Sequence, residues 1–346
     1  MWIRKRLDLG WSDLHHAMWY CGLPCAHAEQ SVADSWSPNN NSLVCLSVRT
    51  GFDLLFQALN LPAGSEVLVS ALTIDGMLRV IEEHDLVAVP VDLDPETMAP
   101  TVDTISKAMS EKSRVLVVAH LFGAHVDLSA IQELAQSREL LLVEDCAQAF
   151  EGTPKEEGKG SDVVMYSFGP IKTATALGGA VFSVAREELA NQLAKLESQY
   201  PKRSRCFFFR RLLKYSCLKF ISYKPTFAAF IGTMRLLGKD YNQLLKKSTR
   251  GFSGMNFFQL IRRRPSTPLL RLLARKLRCF NGKSLAIQRE LGDYLQTTLR
   301  ENSGHQTAGS NTPANHYWVY PVLVNDPCSV ELSLRESGVD ADRHGS

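Results

Sequence analysis

The stretch that decides the fold is "VVMYSFGPIKTATALGGAVFSV", residues 163–184. Two apolar runs, "VVMYS" (163–167) and "GAVFSV" (179–184), predict strands. Between them a single lysine, Lys172, stands among Gly, Pro, Ala and Thr. Lysine is one of the residue types least often buried, so its place in a loop of small, apolar residues calls for a chemical reason.

The same kind of apolar run recurs upstream, separated by segments with helical periodicity. Further strands are predicted at "SEVLVS" (65–70), "LVAVPV" (86–91), "RVLVVA" (114–119) and "LLLVE" (140–144), and helices at 49–60, 73–84, 101–111, 127–137 and 186–200. Strands that alternate with helices predict an α/β fold, a three-layer αβα sandwich around a mainly parallel sheet. Ligands bind such sheets at the carboxyl ends of the strands.

A length of 346 residues favours a large domain with a smaller partner. The small domain is predicted to be α+β, with helices at 284–300 and 329–339 and a strand at "HYWVYPVLV" (316–324). We predict four parts: an N-terminal extension (1–44), a large domain (45–200), a basic, aromatic helical insertion (201–283) and a small C-terminal domain (284–346).

Positive charge is concentrated in residues 201–280, which hold 20 of the 39 Lys and Arg but only one of the 36 acids, Asp240. Interleaved with aromatic residues, this charge favours peripheral contact with an anionic membrane. Two alternatives stay open: solvated surface helices, or an electrostatic funnel for a nucleotide-linked substrate. No nucleic-acid-reading motif accompanies the charge, so nucleic acid is not expected as a partner.

Other features exclude several classes of protein. No run of about 18 apolar residues predicts a membrane-spanning helix, and the first residues make a poor signal peptide. The eight scattered cysteines favour reduced thiols and a cytoplasmic location. Cys21, Cys25 and His27 lack the further ligands of a zinc site, so no metal is expected.

Three groups are predicted to meet at the ligand edge of the sheet. Asp145 ends "LLLVED", Lys172 and Ser167 follow the next strand, and Thr50 and Gly51 open a helix in "RTGF". A helix N-terminus with hydroxyls suits a phosphate, an acid can hold a ring nitrogen protonated, and a lysine can form a Schiff base. This is the set that pyridoxal 5′-phosphate requires. On spacing alone, Asp145 as a turn residue and Lys172 as an ordinary loop lysine remain open alternatives.

Several motifs, in order, resemble those of the DegT/DnrJ/EryC1/StrS family of sugar aminotransferases. "VEDCAQAF" (143–150) and "SFGPIK" (167–172) resemble the family's E-D-A-A-Q-A and S-F-x-P-x-K, and "ALGG" (176–179) stands where the family has G-x-G-G. "RTGFDLLFQALNLPAGSEVLVSALT" (49–73), "PVDLDPETM" (90–98) and "RESGVDADRH" (335–344) resemble further family segments. The resemblance covers roughly residues 45–185 well and 316–344 moderately. It implies the aspartate-aminotransferase fold, known as fold type I, with pyridoxal phosphate as cofactor.

The resemblance also implies a role for each site residue. Lys172 would bind the cofactor covalently and shuttle a proton, and Asp145 would pair with the ring nitrogen. Gln148 would lie against the ring near its phenolic oxygen. Phosphate ligands would be Ser167 and the backbone at Thr50 and Gly51. The implied enzyme is a homodimer that transfers an amino group from glutamate or glutamine to a keto-sugar, carried on a nucleotide, in polysaccharide or secondary-metabolite biosynthesis.

Three features depart from the family pattern. Ile74 stands where the family often has an aromatic residue, the stretch G-Y-N-x-R-M is not found, and the chain ends at "DADRHGS", before the small domain is complete. The missing stretch and the short C-terminus favour an alternative function: a degenerate, non-catalytic binding or scaffold protein with the same fold, at a membrane. The presence of Lys172 and Asp145 favours the enzyme.

Overall fold

The structure is a computed structural model that describes residues 7–23, 27–36, 41–152, 160–237, 252, 254–303, 307–312, 314–339 and 341. Its first nine helices are α1 (Trp11–Gly22), α2 (Ala28–Trp36), α3 (Val48–Leu59), α4 (Asp75–Glu83), α5 (Val102–Ala108), α6 (Ser129–Ser137), α7 (Glu187–Ser198), α8 (Arg205–Ile221) and α9 (Lys224–Leu236). The later ones are α10 (Phe257–Ile261), α11 (Thr267–Arg278), α12 (Lys283–Ser303) and α13 (Pro327–Glu336). None of these helices combines the length and apolar character that crossing a bilayer requires.

Seven strands form one sheet in the order β1-β8-β7-β6-β4-β2-β3. They are β1 (Ser42–Cys45), β2 (Glu66–Ser70), β3 (Val87–Val91), β4 (Ser113–Ala119), β6 (Leu141–Asp145), β7 (Val163–Ser167) and β8 (Ala180–Val184). All run parallel except β8, which is antiparallel to both of its neighbours. The predicted α/β class, the mainly parallel sheet and its six predicted strands are confirmed. The short strand β1 was not predicted.

Helices cover both faces of the sheet, as the three-layer prediction requires. One face packs against α3, α4, α7 and α10, with Phe52, Val80, Leu193 and Phe257 fully buried. Different helices cover the two ends of the other face of the sheet. Helices α5 and α6 pack against the end formed by β2, β4 and β6. The strands are apolar on both sides, which is the pattern expected of a parallel sheet buried between two helical layers.

The β7–β8 end of that second face is covered by helices from the predicted N-terminal extension and from the predicted basic insertion. Leu14 of α1, Val32 of α2, Phe208 of α8 and Leu273 of α11 share one core with Val181 of β8. The predicted N-terminal extension and basic insertion therefore pack together on the sheet. Among the described residues, the hydrophobic core continues across residues 44 and 200, and the four-part division stays a prediction.

The strand predicted at 316–324 is wrong within the described residues. The structure has only the two-residue β9 (Ala314–Asn315), which pairs with β5 (Ala124–His125), and an isolated bridge at Val322. A strand needs a neighbour along its length, and Pro321 has no N–H to donate. The aromatic side chains of this segment instead contact the large domain, where Trp318 Nε1 donates to the carbonyl of Ile171 at 3.0 Å. The helix predicted at 329–339 is confirmed as α13.

Candidate active site

A cavity of about 150 Å³ lies where the carboxyl ends of β6 and β7 meet the N-terminus of α3. Lys172, Asp145 and Ser167, three of the predicted site residues, are in its wall. Asp145 ends β6, Ser167 ends β7, and Lys172 lies in the loop between β7 and β8. The sheet therefore brings these three residues to one place, as expected for the ligand edge of an α/β fold.

The loop that carries Lys172 is held in a fixed conformation. Ala174 and Leu177 have φ angles of 53° and 61°, in the left-handed region, and both are buried. The Thr175 hydroxyl donates to the carbonyl of Gly169 at 2.6 Å, and the Ala174 amide donates to Asp8 Oδ2 at 2.6 Å. Left-handed non-glycine residues cost roughly 1–3 kcal/mol each and persist where surrounding contacts fix them, often beside functional sites.

The amine of Lys172 is in an environment that favours its neutral form. Burial lowers its pKa to about 8, the carboxylate of Asp145 opposes this shift, and the guanidinium of Arg49 adds to it. Lys172 Nζ also lies 4.2 Å from the centroid of the Trp318 ring, a cation–π contact that favours the charged amine and so opposes the shift. A lysine with a lowered pKa is available as a nucleophile and as a base near neutral pH.

The carboxyl group of Asp145 faces the same cavity. Its Oδ1 accepts a hydrogen bond from the Ala147 amide at 2.9 Å. Burial raises its pKa, while this hydrogen bond and the charges of Lys172 and Arg49 oppose the rise. Asp145 and Lys172 influence each other electrostatically and both line the cavity, but they form no ion pair with each other among the described residues.

Three other predicted site residues lie outside the cavity wall. The Thr50 hydroxyl is buried and donates to the carbonyl of Ile261 at 2.8 Å. Gly51 faces the core, since a Cβ there would lie 2.2 Å from the Phe182 ring. The amides of both residues are already used at the helix start, by the side chain and the carbonyl of Ser47. A role for Thr50 and Gly51 as phosphate ligands is therefore not supported.

Gln148 holds a turn beside the site. Its Oε1 accepts a hydrogen bond from the Phe122 amide at 2.9 Å. Its contact with a cofactor ring stays a prediction. Ile74, at the position where an aromatic residue was expected, does line the cavity and has a side chain that is 51% exposed.

Sequence reasoning missed the start of α3 by one or two residues. Ser47, Val48 and Arg49 line the cavity, and the half-buried Arg49 extends over Gly76, where a Cβ would lie 2.3 Å from Arg49 Nε. That Nε has no hydrogen-bond partner among the described residues, and burial lowers the pKa of the guanidinium. A helix N-terminus beside an unpartnered arginine fits a phosphate group.

These residues fit pyridoxal phosphate. Lys172 would take its aldehyde, Asp145 its ring nitrogen, and Arg49 with Ser47 its phosphate. The chemistry of these side chains matches the three functional groups of the cofactor, and all four line the same cavity.

The expectation that the protein binds no metal stays a prediction. Cys25, one of the three residues considered for a zinc site and set aside, lies outside the described residues.

Comparisons with known proteins find similar sequences and similar folds. GDP-perosamine synthase from Escherichia coli O157:H7 is 31% identical over 157 residues, which are 44% of this chain and 43% of that protein. The match thus spans less than half the length of this curated relative. The aminotransferase TlmJ from Streptoalloteichus hindustanus has a similar fold, with a TM-score of 0.71 at 20% identity over 98% of this chain and 83% of that one.

A second solved structure contains the cofactor itself. The E. coli GDP-4-keto-6-deoxy-D-mannose-3-dehydratase with bound hydrated pyridoxal phosphate has a TM-score of 0.69 at 13% identity, over 98% of this chain and 84% of that one. The model of the DegT/DnrJ/EryC1/StrS aminotransferase family, whose aminotransferases depend on pyridoxal phosphate, matches residues 15–211. That match covers more than half of the chain, including the lysine loop, the strand that ends in Asp145 and the helix that begins beside the cavity. The chain belongs to this family.

Proposed function

We propose that this protein is a pyridoxal-phosphate aminotransferase that moves an amino group from glutamate or glutamine to a keto-sugar linked to a nucleotide, in the biosynthesis of a polysaccharide or secondary metabolite. The observation that carries the proposal is the placement of Lys172 and Asp145 in the wall of one cavity. The family and the 31%-identical GDP-perosamine synthase support the substrate class.

The bound cofactor would supply an electron sink that makes a proton labile on the carbon beside the substrate nitrogen. The residues of this chain would then position and move protons. Lys172 Nζ, with a pKa of about 8, can accept a proton and return it near neutral pH. Asp145 provides the negative charge that holds a proton on a ring nitrogen. Arg49 would anchor the phosphate end so that Lys172 and the reacting carbon stay in register.

The alternative is a non-catalytic binding protein, and one experiment separates the two. The protein is loaded with pyridoxal phosphate and mixed with glutamate. An aminotransferase loses the visible absorption band of the bound cofactor and regains it with a keto-sugar, whereas a binding protein keeps the band unchanged. Lys172→Ala is the matched control, because it removes the amine and should give neither the band nor its conversion.

Borohydride treatment followed by peptide mass spectrometry tests the covalent link directly. We expect the reduced cofactor on Lys172 and on no other lysine. A cofactor that washes away after reduction would contradict the proposed function.

The proposed assembly is a homodimer, as the family resemblance implies. Sedimentation equilibrium of the loaded protein should give twice the chain mass of 38.6 kDa. A single-chain mass at micromolar concentration would contradict this part of the proposal.

We also propose that the protein is cytoplasmic and touches an anionic membrane through the outer stripe of α8, made of Phe209, Leu213 and Phe220. Their spacing places them on one face of the helix, and they are 38%, 45% and 58% exposed. Basic residues accompany the stripe, and Lys219 Nζ lies 6.0 Å from the ring of Trp11. An exposed apolar stripe with basic flanks suits the headgroup region of an anionic bilayer.

Vesicle co-sedimentation tests this contact. The protein should sediment with vesicles that contain phosphatidylglycerol and stay in solution with pure phosphatidylcholine. Changing all three stripe residues to serine should abolish sedimentation. The matched control changes Leu291 and Tyr294 of α12, which are 63% and 72% exposed, to serine and should have no effect. Equal loss in both variants, or no sedimentation at low salt, would refute the contact.

A further inference from the structure

The basic segment forms part of the wall of the active-site cavity. Arg203 lines the cavity just before α8, Phe207 and Arg211 line it from the first two turns of α8, and Ser266 lines it from the start of α11. The cavity wall thus contains three guanidinium groups, including Arg49, and the amine of Lys172, against one carboxylate, Asp145. One cofactor phosphate would not balance these positive charges, so the excess charge favours a second bound anion.

Arg203 and Arg211 lack the counter-charge that half-buried arginines usually have. Neither forms an ion pair with a carboxylate within the part of the chain that the structure describes, and Arg211 Nε has no hydrogen-bond partner there. Burial lowers the pKa of Arg203, and the nearby charges of Arg263 and Arg211 lower it further. Two guanidinium groups brought together without an acid cost free energy that a bound anion would offset.

Aromatic rings hold the two guanidinium groups in place. The Arg203 guanidinium lies 3.8 Å from the centroid of the Phe207 ring, and that of Arg211 lies 5.7 Å from the Tyr215 ring. Tyr215 is itself buried, at 2% exposure. Stacking fixes the plane of a guanidinium while leaving its N–H groups free to bind an oxyanion.

Ser266 adds a donor that nothing else in the described structure uses. It is 2% exposed, lines the cavity and is the N-cap residue of α11, yet its hydroxyl makes no capping hydrogen bond and has no partner among the described residues. A buried hydroxyl without a partner is unusual in a folded protein. Here it stands at a helix N-terminus, where the helix dipole favours negative charge.

We propose that Arg203, Arg211 and Ser266 form a second anion subsite, distinct from that of the cofactor phosphate, which binds the diphosphate of the sugar substrate. The proposal rests on the proposed function for the identity of the substrate, but the subsite can be tested without it. A diphosphate offers several oxygens and more than one charge, which matches two guanidinium forks, a hydroxyl and a helix terminus. Nucleoside diphosphates and lipid diphosphates share this chemistry.

The first experiment measures inorganic pyrophosphate binding by calorimetry to protein loaded with pyridoxal phosphate and reduced with borohydride, so that the cofactor cannot be displaced. Arg203→Gln and Arg211→Gln should each weaken binding by about 10- to 100-fold, since each removes charge-assisted hydrogen bonds. Ser266→Ala, a small change at a buried site, should weaken it by about fivefold. Arg210→Gln is the matched control: it removes the same charge from an exposed neighbour on the same helix and should change nothing.

Thermal unfolding of each variant separates loss of the subsite from loss of the fold. Equal pyrophosphate affinity in wild type, Arg203→Gln and Arg211→Gln would overturn the proposal. If the protein takes up the cofactor, pyrophosphate binding to the cofactor-free form alone would also overturn the proposal, because the arginines would then serve the cofactor phosphate. Failure of the proposed function gives a different result, namely no reduced cofactor on Lys172. In that case pyrophosphate is measured on the untreated protein with the same variants.

A second experiment distinguishes the two sources of diphosphate. Uridine diphosphate and farnesyl diphosphate are compared with pyrophosphate on the same reduced protein. Tighter binding of uridine diphosphate, lost in Arg211→Gln, supports a nucleotide-linked sugar. Tighter binding of farnesyl diphosphate, lost in the same variant, supports a lipid-linked sugar taken from the membrane beside α8. If neither ligand depends on Arg203 or Arg211, the subsite is refuted.

Discussion

Two clusters of buried charge lie one turn apart on α3, and they differ in whether the charges are paired. Asp53 is fully buried, and its carboxylate accepts hydrogen bonds from Arg262 Nε at 3.0 Å, Arg262 Nη2 at 2.9 Å and the Tyr200 hydroxyl at 2.8 Å. Arg49, one turn earlier, faces the cavity with its Nε unpartnered among the described residues.

The contrast separates structural charge from functional charge. A buried carboxylate surrounded by donors stabilises one conformation and needs no ligand. Arginines and a lysine that are left without enough acid gain their counter-charge only when something binds. We therefore expect changes at the Asp53 cluster to affect unfolding, and changes at the cavity to affect ligand binding and rate. The following predictions test this division.

The largest effect is expected from Arg262→Ala. This change leaves the Asp53 carboxylate buried without its bidentate partner, which costs about 3–5 kcal/mol of unfolding free energy. Urea denaturation monitored by circular dichroism gives the value. Arg263→Ala, at a half-buried neighbour whose Nε donates to the carbonyl of Gln259 instead, is the control. A loss below about 1 kcal/mol would mean that the cluster is not structural.

The Asp53 cluster predicts that the free energy of unfolding falls at low pH. Burial alone would raise the pKa of Asp53, but hydrogen bonds from His84, Arg262 and Tyr200 outweigh burial and lower it from 3.8 to about 2. A lowered carboxyl pKa stabilises the folded state fully above pH 3.8, and this stability is lost as the pH falls towards 2. Arg262→Ala should flatten that part of the stability profile.

Asp145→Asn should reduce the rate of amino transfer by about 10²–10³, because it removes one preorganised charge at the reacting ring. Asparagine can still accept the Ala147 amide, so the thermal midpoint should change little. Stopped-flow absorbance with glutamate measures the rate. If the rate is unchanged while Lys172 still binds the cofactor, Asp145 does not contact the ring nitrogen.

Arg49→Gln should weaken pyridoxal phosphate binding by about 10- to 100-fold through loss of a charge-assisted hydrogen bond. Fluorescence titration of cofactor-free protein measures the affinity. Titrating pyridoxal without its phosphate is the control, since its affinity should not depend on Arg49. Equal loss for both compounds would place Arg49 elsewhere in the site.

The smallest effect is the pH dependence of cofactor capture. Only the neutral amine of Lys172 reacts with an aldehyde, so the rate should rise about tenfold per pH unit below 8 and level off above it. Rapid mixing of cofactor-free protein with pyridoxal phosphate across pH 6–10 measures it. A midpoint near 10.5, the ordinary value for lysine, would contradict the described environment.

The sequence was informative where local pattern controls structure. β-branched apolar runs and helical periodicity predicted six strands and the helices between them, and the order of strands placed Asp145, Ser167 and Lys172 together. Thr50 and Gly51 were predicted as phosphate ligands because a hydroxyl beside a glycine is typical of a phosphate-binding helix start. The helix begins at Val48, so Ser47 and Arg49 face the cavity while Thr50 points into the core.

The cavity residues that were not predicted from the sequence are brought to the site by tertiary packing. Arg203, Arg211 and Ser266 lie more than 30 residues beyond Lys172 and reach the cavity because α8 and α11 pack on the sheet with α1 and α2. No local periodicity identifies that arrangement. The strand predicted at 316–324 failed for a related reason: β propensity alone cannot supply a neighbouring strand.

The hydrogen bond from the Ala174 amide to Asp8 makes the N-terminal residues part of the support of the lysine loop. A protease cut that removes the first ten residues would remove this hydrogen bond and loosen the backbone two residues after Lys172. The shortened protein should lose bound pyridoxal phosphate faster during dialysis, although every active-site side chain is still present.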